Sequence, residues 1–172
     1  MSKLNNIFLV GPMGAGKTCV GRQLAKSLNC DFIDSDKEIE SRTGVSIPTV
    51  FDIEGESGFR LRETQVIEEL TERTGIVLAT GGGAILDSNN RQYLRSRGCV
   101  IYLHASIDQL LKRTGRDKNR PLLQTGNPRK KIEELMEQRD PLYRETADHT
   151  IDTNGKNVKL VVESILSLPI VT

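Results

Sequence analysis

The chain has 172 residues, 37% of them hydrophobic and only 4% aromatic, and its 24 Lys and Arg against 23 Asp and Glu leave a net charge of +1. That length suits one domain, residues 1–172, with a core that needs no metal or disulfide. Balanced charge, few aromatic stacking platforms and no apolar run near membrane-spanning length disfavour nucleic-acid and membrane partners. Cys19, Cys30 and Cys99 are odd in number and lack metal-ligand spacing, and MSKLNN leads into the first apolar run without a signal-peptide core. A soluble, cytoplasmic protein is expected, with monomer as the default state.

The first element is the apolar run 7–10, Ile7-Phe8-Leu9-Val10, which reads as a parallel strand covered on both faces. Directly after it stands GPMGAGKT, residues 11–18, followed by Val20, Leu24 and Leu28 at helical spacing. Strand, glycine-rich loop and helix in that order form the context a Walker A motif requires. Gly14, Ala15 and Gly16 let backbone N–H groups turn inward around phosphate oxygens, and the helix N-terminus adds its partial positive charge. Lys17 reaches the outer phosphates and Thr18 ligates magnesium in this reading. Cys19 stands where a further hydroxyl residue is expected, and cradling by the backbone does not depend on it.

A second strand is expected over Asp31–Asp34, then a helix at 37–42 stopped by Gly44, a short helix at 46–53 and a loop at 54–58. A longer helix over 59–73 carries Phe59, Val66 and Leu70 on one stripe and closes at Gly75. The third strand, 76–80, runs into Gly81-Gly82-Gly83; a helix at 89–97, a strand at 99–103 and a helix at 106–114 follow. Beyond the polar stretch 115–128 come a helix over 129–146, a strand at His149–Asp152 and a helix at 158–168. Strands alternating with helices predict an α/β fold: a central parallel sheet of about five strands, with ligands beyond the carboxyl ends of the strands.

Those strand ends hold the candidate chemistry. Asp34 and Asp36 can hold a magnesium shell beside Thr18 and take the proton of a substrate hydroxyl; the alternative makes Asp36 a helix N-cap and Asp34 a turn residue. Three glycines at 81–83 let a ligand approach the backbone. Arg139 shares the stripe of Ile132, Leu135 and Met136, so its guanidinium needs an anion there, either an internal carboxylate or a ligand's carboxylate or phosphate. Arg60, following Glu54 and Glu56, reads from position alone as a surface ion-pair residue. Residues 115–128 carry Arg116, Lys118 and Arg120 against Asp117, a loop suited to close over a nucleotide, exclude water and deliver an arginine.

Taken together, GPMGAGKT, DSD at 34–36, GFR at 58–60, GGG at 81–83, RPLL at 120–123 and RDPLY at 139–143 make the chain resemble the shikimate kinases over nearly its whole length. The Walker loop alone does not separate that family from gluconate or nucleoside monophosphate kinases. The resemblance implies a P-loop kinase fold with a mobile lid at about 115–128, ATP and Mg2+ as cofactors, and phosphorylation of shikimate to shikimate 3-phosphate in chorismate and aromatic amino-acid biosynthesis. It implies that Asp34 assists magnesium through water and that Asp36 binds shikimate hydroxyls and serves as base. Arg60 and Arg139 would grip the shikimate carboxylate while Gly82 contacts the substrate through its backbone. Lys17 and Arg120 would offset transition-state charge, and Arg113, Lys156 and Asn157 would lie near adenine, the last segment varying most within the family. A nucleotide-dependent switch is disfavoured, since neither an NKxD motif nor a strand-terminal Asp with a switch glycine is present.

Overall fold

In the computed structural model, residues 5–114 and 126–169 are described. Most of the expected lid, with Arg120, lies outside them. Strand β1 (Ile7–Val10) is buried along its whole length. Its alternating side chains feed two cores, as a period of two requires. Phe8 and Val10 join Leu78, Val100, Tyr102 and Tyr143 on one face, whereas Ile7 and Leu9 join Val20, Leu24, Val77, Ile101 and Ile165 on the other. Buried faces on both sides explain why the strand is apolar throughout.

Strands β2 (Asp31–Asp34), β3 (Ile76–Ala79), β4 (Cys99–His104) and β5 (His149–Asp152) complete one sheet of order β2-β3-β1-β4-β5, every pair parallel. The chain leaves β1 for β2 and β3 on one side and then crosses to β4 on the other. That reversal beside β1 opens a crevice at the carboxyl ends of the strands, where the glycine loop emerges. Helix α1 (Lys17–Leu28) packs back on the sheet so closely that a Cβ on Gly21 would lie 2.3 Å from the Phe32 ring. No helix among the described residues is long and apolar enough to cross a membrane.

Helix α2 (Ser35–Thr43) starts at Ser35 because Asp34 caps it, accepting from the N–H groups of Asp36 and Lys37. The expected helix, loop and helix over 46–73 are instead one element, α3 (Ile47–Leu70), broken only at Gly55, with φ 73° and ψ 178°. One glycine absorbs the whole change of direction. Arg62 spans the break to Glu54 at 3.1 Å, which keeps the two halves in contact. A short 3-10 turn, Ala84–Leu86, follows the glycines and is held by Asn90 Nδ2 donating to the Ala84 carbonyl at 3.0 Å. The remaining helices are α4 (Ser88–Arg97), α5 (Ile107–Thr114), α6 (Pro128–Thr146) and α7 (Val158–Leu166), the last two residues shorter than expected.

Candidate active site

Gly14 and Gly16 take φ values of 85° and 94°, a backbone conformation closed to most side chains, and so the loop curls around an open centre. Lys17, 9% exposed, donates from Nζ to the carbonyls of Gly11 at 2.7 Å and Pro12 at 2.8 Å. From α5, Arg113 donates to the Gly14 carbonyl at 3.0 Å and braces the loop from outside. Thr18 Oγ1 donates to Asp34 Oδ2 at 2.8 Å, while Asp34 Oδ1 receives the Asp36 N–H at 2.9 Å. The two oxygens of Asp34 thus divide their work: one caps α2 and the other faces the Walker threonine. The expected capping alternative named the wrong residue of the pair, since the cap is Asp34 and Asp36 is left to project into the cleft.

Lys17, Thr18, Cys19, Asp34, Asp36, Gly81, Gly82 and Arg113 line one cleft of about 400 Å3. Among the described residues no cluster of three His, Cys, Asp or Glu side chains could cage a metal. A hydroxyl beside a single carboxylate nevertheless fits magnesium, which keeps several waters and takes its other ligands from phosphates. Lys156 and Asn157 do not line this cleft; Asn157 caps α7, its Oδ1 receiving the Leu160 N–H at 2.9 Å.

Two guanidinium groups press on the glycine turn. Arg139, 3% exposed, has Nη1 3.6 Å from where a Cβ on Gly82 would lie, and the Arg60 guanidinium comes within 2.2 Å of a Cβ on Gly83. A glycine turn here is a packing requirement as much as a conformational one. Arg60 is only partly a surface ion-pair residue: it binds Glu56 at 3.4 Å, but also the buried Glu63 at 2.9 Å. Arg139 forms no ion pair among the described residues, and its Nε is buried without a hydrogen-bond partner. Among the described residues no carboxylate reaches ion-pair distance of it, although the buried Glu63 is near enough to feel its charge.

Glu63 is the residue that sequence reasoning missed. It sits four positions after Phe59 on the stripe that also carries Val66 and Leu70, 1% exposed. The rule that singled out Arg139, a charge on an apolar stripe, applies equally to it. Burial pushes its carboxyl from 4.5 up to about 7, with Arg60 and Arg139 pulling down and Asp36 pushing up. The folded chain then holds a proton that the unfolded chain releases between pH 4.5 and 7. This contribution to stability is full below pH 4.5 and is lost as the pH rises through 7. Across that window the wild type is expected to lose on the order of 3 kcal/mol relative to Glu63→Gln. Thermal melts of both proteins at pH 5 and 8 check this, and parallel pH profiles would contradict it.

A family model described as shikimate kinase matches residues 13–168. The chain belongs to the shikimate kinase family. A shikimate kinase of Thiobacillus denitrificans is 63% identical over 158 residues, covering 92% of this chain and 86% of the relative. Among solved structures, the shikimate kinase of Acinetobacter baumannii in complex with shikimate superposes with a TM-score of 0.93 at 56% identity, covering 95% of this chain and 91% of that one. The shikimate kinase of Aquifex aeolicus superposes with a TM-score of 0.82 at 35% identity, covering 94% of each chain. Shikimate kinase membership accounts for the parallel sheet and for a glycine loop on its central strand.

Proposed function

We propose that the chain transfers the γ-phosphoryl group of ATP to the 3-hydroxyl of shikimate, with the acid held behind the glycine turn and the nucleotide in the Walker loop. The observation that carries this reading is Arg139: a buried guanidinium without an ion-pair partner among the described residues, beside a side-chain-free turn, a few ångströms from a phosphate loop. A buried charge of that kind is costly unless a ligand anion completes it. Arg60, reaching the same turn from α3, supplies the second guanidinium, and a carboxylate between two such forks is both bound and oriented. The Gly82 backbone and Asp36 then address the hydroxyl side of the ring.

Gly14, Ala15 and Gly16 cradle the phosphates, helped by the amide of Cys19 at the first turn of α1. Lys17 exchanges its loop carbonyls for phosphate oxygens. Thr18, and Asp34 through water, would hold magnesium, which when bound offsets phosphate charge. Asp36 orients the attacking hydroxyl and accepts its proton, so that the bond to phosphorus forms as the bond to the leaving ADP oxygen breaks. Arg120 lies outside the described residues and keeps the role that the resemblance implies, offsetting transition-state charge with Lys17. Arg113, already against Gly14, serves the nucleotide end. Lys156 and Asn157, outside the cleft, keep the place near adenine that the resemblance implies. Most of the rate enhancement is positioning and electrostatics. We read residues 1–172 as one catalytic domain and the protein as a cytoplasmic monomer, with three free thiols in support of a reducing compartment.

Gly83→Ala tests the acid end without replacing a charged residue. The backbone there, φ −93°, tolerates alanine, and the clash is with the mobile end of Arg60. The variant is expected to fold and to raise KM for shikimate about tenfold by displacing that guanidinium, leaving KM for ATP unchanged. Wild-type KM for shikimate would show that Arg60 acts from elsewhere. The activity itself is tested by ADP release with ATP and magnesium, comparing shikimate, gluconate, nucleoside monophosphates and no acceptor. Turnover with shikimate alone is expected; preferred turnover with another acceptor, or acceptor-independent hydrolysis, would overturn the reading.

A further inference from the structure

Three consecutive glycines have no side chains to restrict them, so whatever gives residues 81–83 a single shape must come from hydrogen bonds. Four such bonds are present. The Gly81 N–H donates to Ser35 Oγ at 3.1 Å, the Ala84 N–H donates to the Gly81 carbonyl at 3.1 Å, the Leu86 N–H donates to the Gly83 carbonyl at 3.1 Å, and the Tyr143 hydroxyl donates to the Gly82 carbonyl. Ser35 is fully buried and Tyr143 is 1% exposed. By contrast, the Gly82 N–H donates to no acceptor among the described residues.

The two side chains come from elements that carry the chemistry. Ser35 lies between Asp34 and Asp36 at the start of α2, and Tyr143 lies four residues after Arg139 on the same face of α6. Gly82 itself sits between the two ends of the site, a Cβ there falling 3.3 Å from the Met13 nitrogen and 3.6 Å from Arg139 Nη1. Tyr143 is in turn held by its ring, 4.9 Å from that of Tyr102, whose hydroxyl donates to Asp140 at 2.6 Å. The phenol therefore cannot follow the turn if the turn moves; the turn must follow the helix.

We propose that Ser35 and Tyr143 are positioning residues for phosphoryl transfer to shikimate: together they fix the Gly82 N–H relative to Asp36 on one side and Arg139 on the other. This rests on the acid-binding role assigned above. Neither residue touches substrate. Each removes freedom from the Gly82 backbone donor, so that the donor and the guanidinium meet a single rigid ligand at once.

The test uses Tyr143→Phe, which keeps the ring and its packing, and Ser35→Ala. Thr71→Val serves as the control, because Thr71 is buried and bonds to the Ile67 carbonyl at 2.7 Å but lies between α3 and the start of β3, at the amino ends of the strands and away from the site. KM for shikimate is expected to rise about tenfold in Tyr143→Phe and in Ser35→Ala, with KM for ATP within about twofold of wild type. Thr71→Val is expected to lower the melting temperature and leave both KM values unchanged. A folded Tyr143→Phe or Ser35→Ala protein with wild-type KM for shikimate would overturn the proposal, as would an equal rise in Thr71→Val, which would mean that general loosening is the cause. Should Tyr143→Phe fail to fold, Ser35→Ala decides. Arg139→Met, measured alongside, separates the two layers: a normal KM for shikimate there overturns the acid-binding role itself, whereas a defect there with normal Tyr143→Phe and Ser35→Ala proteins overturns only the positioning role.

Discussion

Lys17→Ala is expected to lower kcat for phosphoryl transfer by about 10²–10³-fold, the size found when one preorganised donor to a developing charge is removed. KM for shikimate should change little. Lys17 is 9% exposed, and its ammonium already sits on the Gly11 and Pro12 carbonyls of the loop. Bringing it onto the outer phosphates therefore needs only a change of partner. In a site shielded from water, its attraction to charge gathering on the transferred group is stronger than the same pair would feel in bulk solvent. The substitution also strips two carbonyls of a donor, at a cost of about 1–3 kcal/mol each if they stay dry. Melting curves separate that loss from the catalytic one. Lys17→Arg is not a rescue, because a planar fork cannot occupy the place of a compact ammonium. A Lys17→Ala protein with kcat within tenfold of wild type would remove Lys17 from the phosphate site.

Arg139→Met carries the other large effect, and its sign differs between stability and function. KM for shikimate is expected to rise by about 10²–10³-fold, as when one partner of a buried, hydrogen-bonded charge pair is truncated. The melting temperature of the free protein is expected to stay the same or to rise. Arg139 is 3% exposed and forms no ion pair among the described residues, so the free protein keeps a desolvated charge that a ligand anion completes. Methionine retains a stem of similar length and removes the charge. A structural ion-pair arginine would behave in the opposite way, losing stability and leaving KM alone. Arg60 is different in kind, because its loss would leave the buried Glu63 without the 2.9 Å partner that opposes its protonation.

The parts of the fold legible in the sequence were those set by short-range pattern. Ile7–Val10 is apolar at every position because both faces are covered, and the glycine loop follows it without a gap. Arg139 could be singled out because helical spacing alone puts it beside Ile132, Leu135 and Met136. Arg60 could not, since its approach to Gly83 depends on β3 lying between β2 and β1, a strand order that many alternating patterns share. Between Asp34 and Asp36 the spacing is silent on which carboxylate caps the helix; two hydrogen bonds decide it for Asp34. The break at Gly55 reads as a loop in composition, because Glu54, Glu56 and Ser57 are polar and Gly58 is near, yet those neighbours remain helical and a single φ turns the chain. Glu63 was legible by the stripe rule, although its pairing with Arg60 was not.

The most direct measurement compares kcat/KM for shikimate with that for its carboxamide, a neutral analogue of nearly the same shape, in the wild type and in Arg139→Met. The wild type is expected to prefer the acid by about 10²-fold or more, because a fork built for a carboxylate loses charge and a paired acceptor with the amide. In Arg139→Met that preference should collapse toward the share that Arg60 alone supplies. Equal use of acid and amide by the wild type would contradict the claim that two guanidinium groups behind the glycine turn select the substrate by its carboxylate.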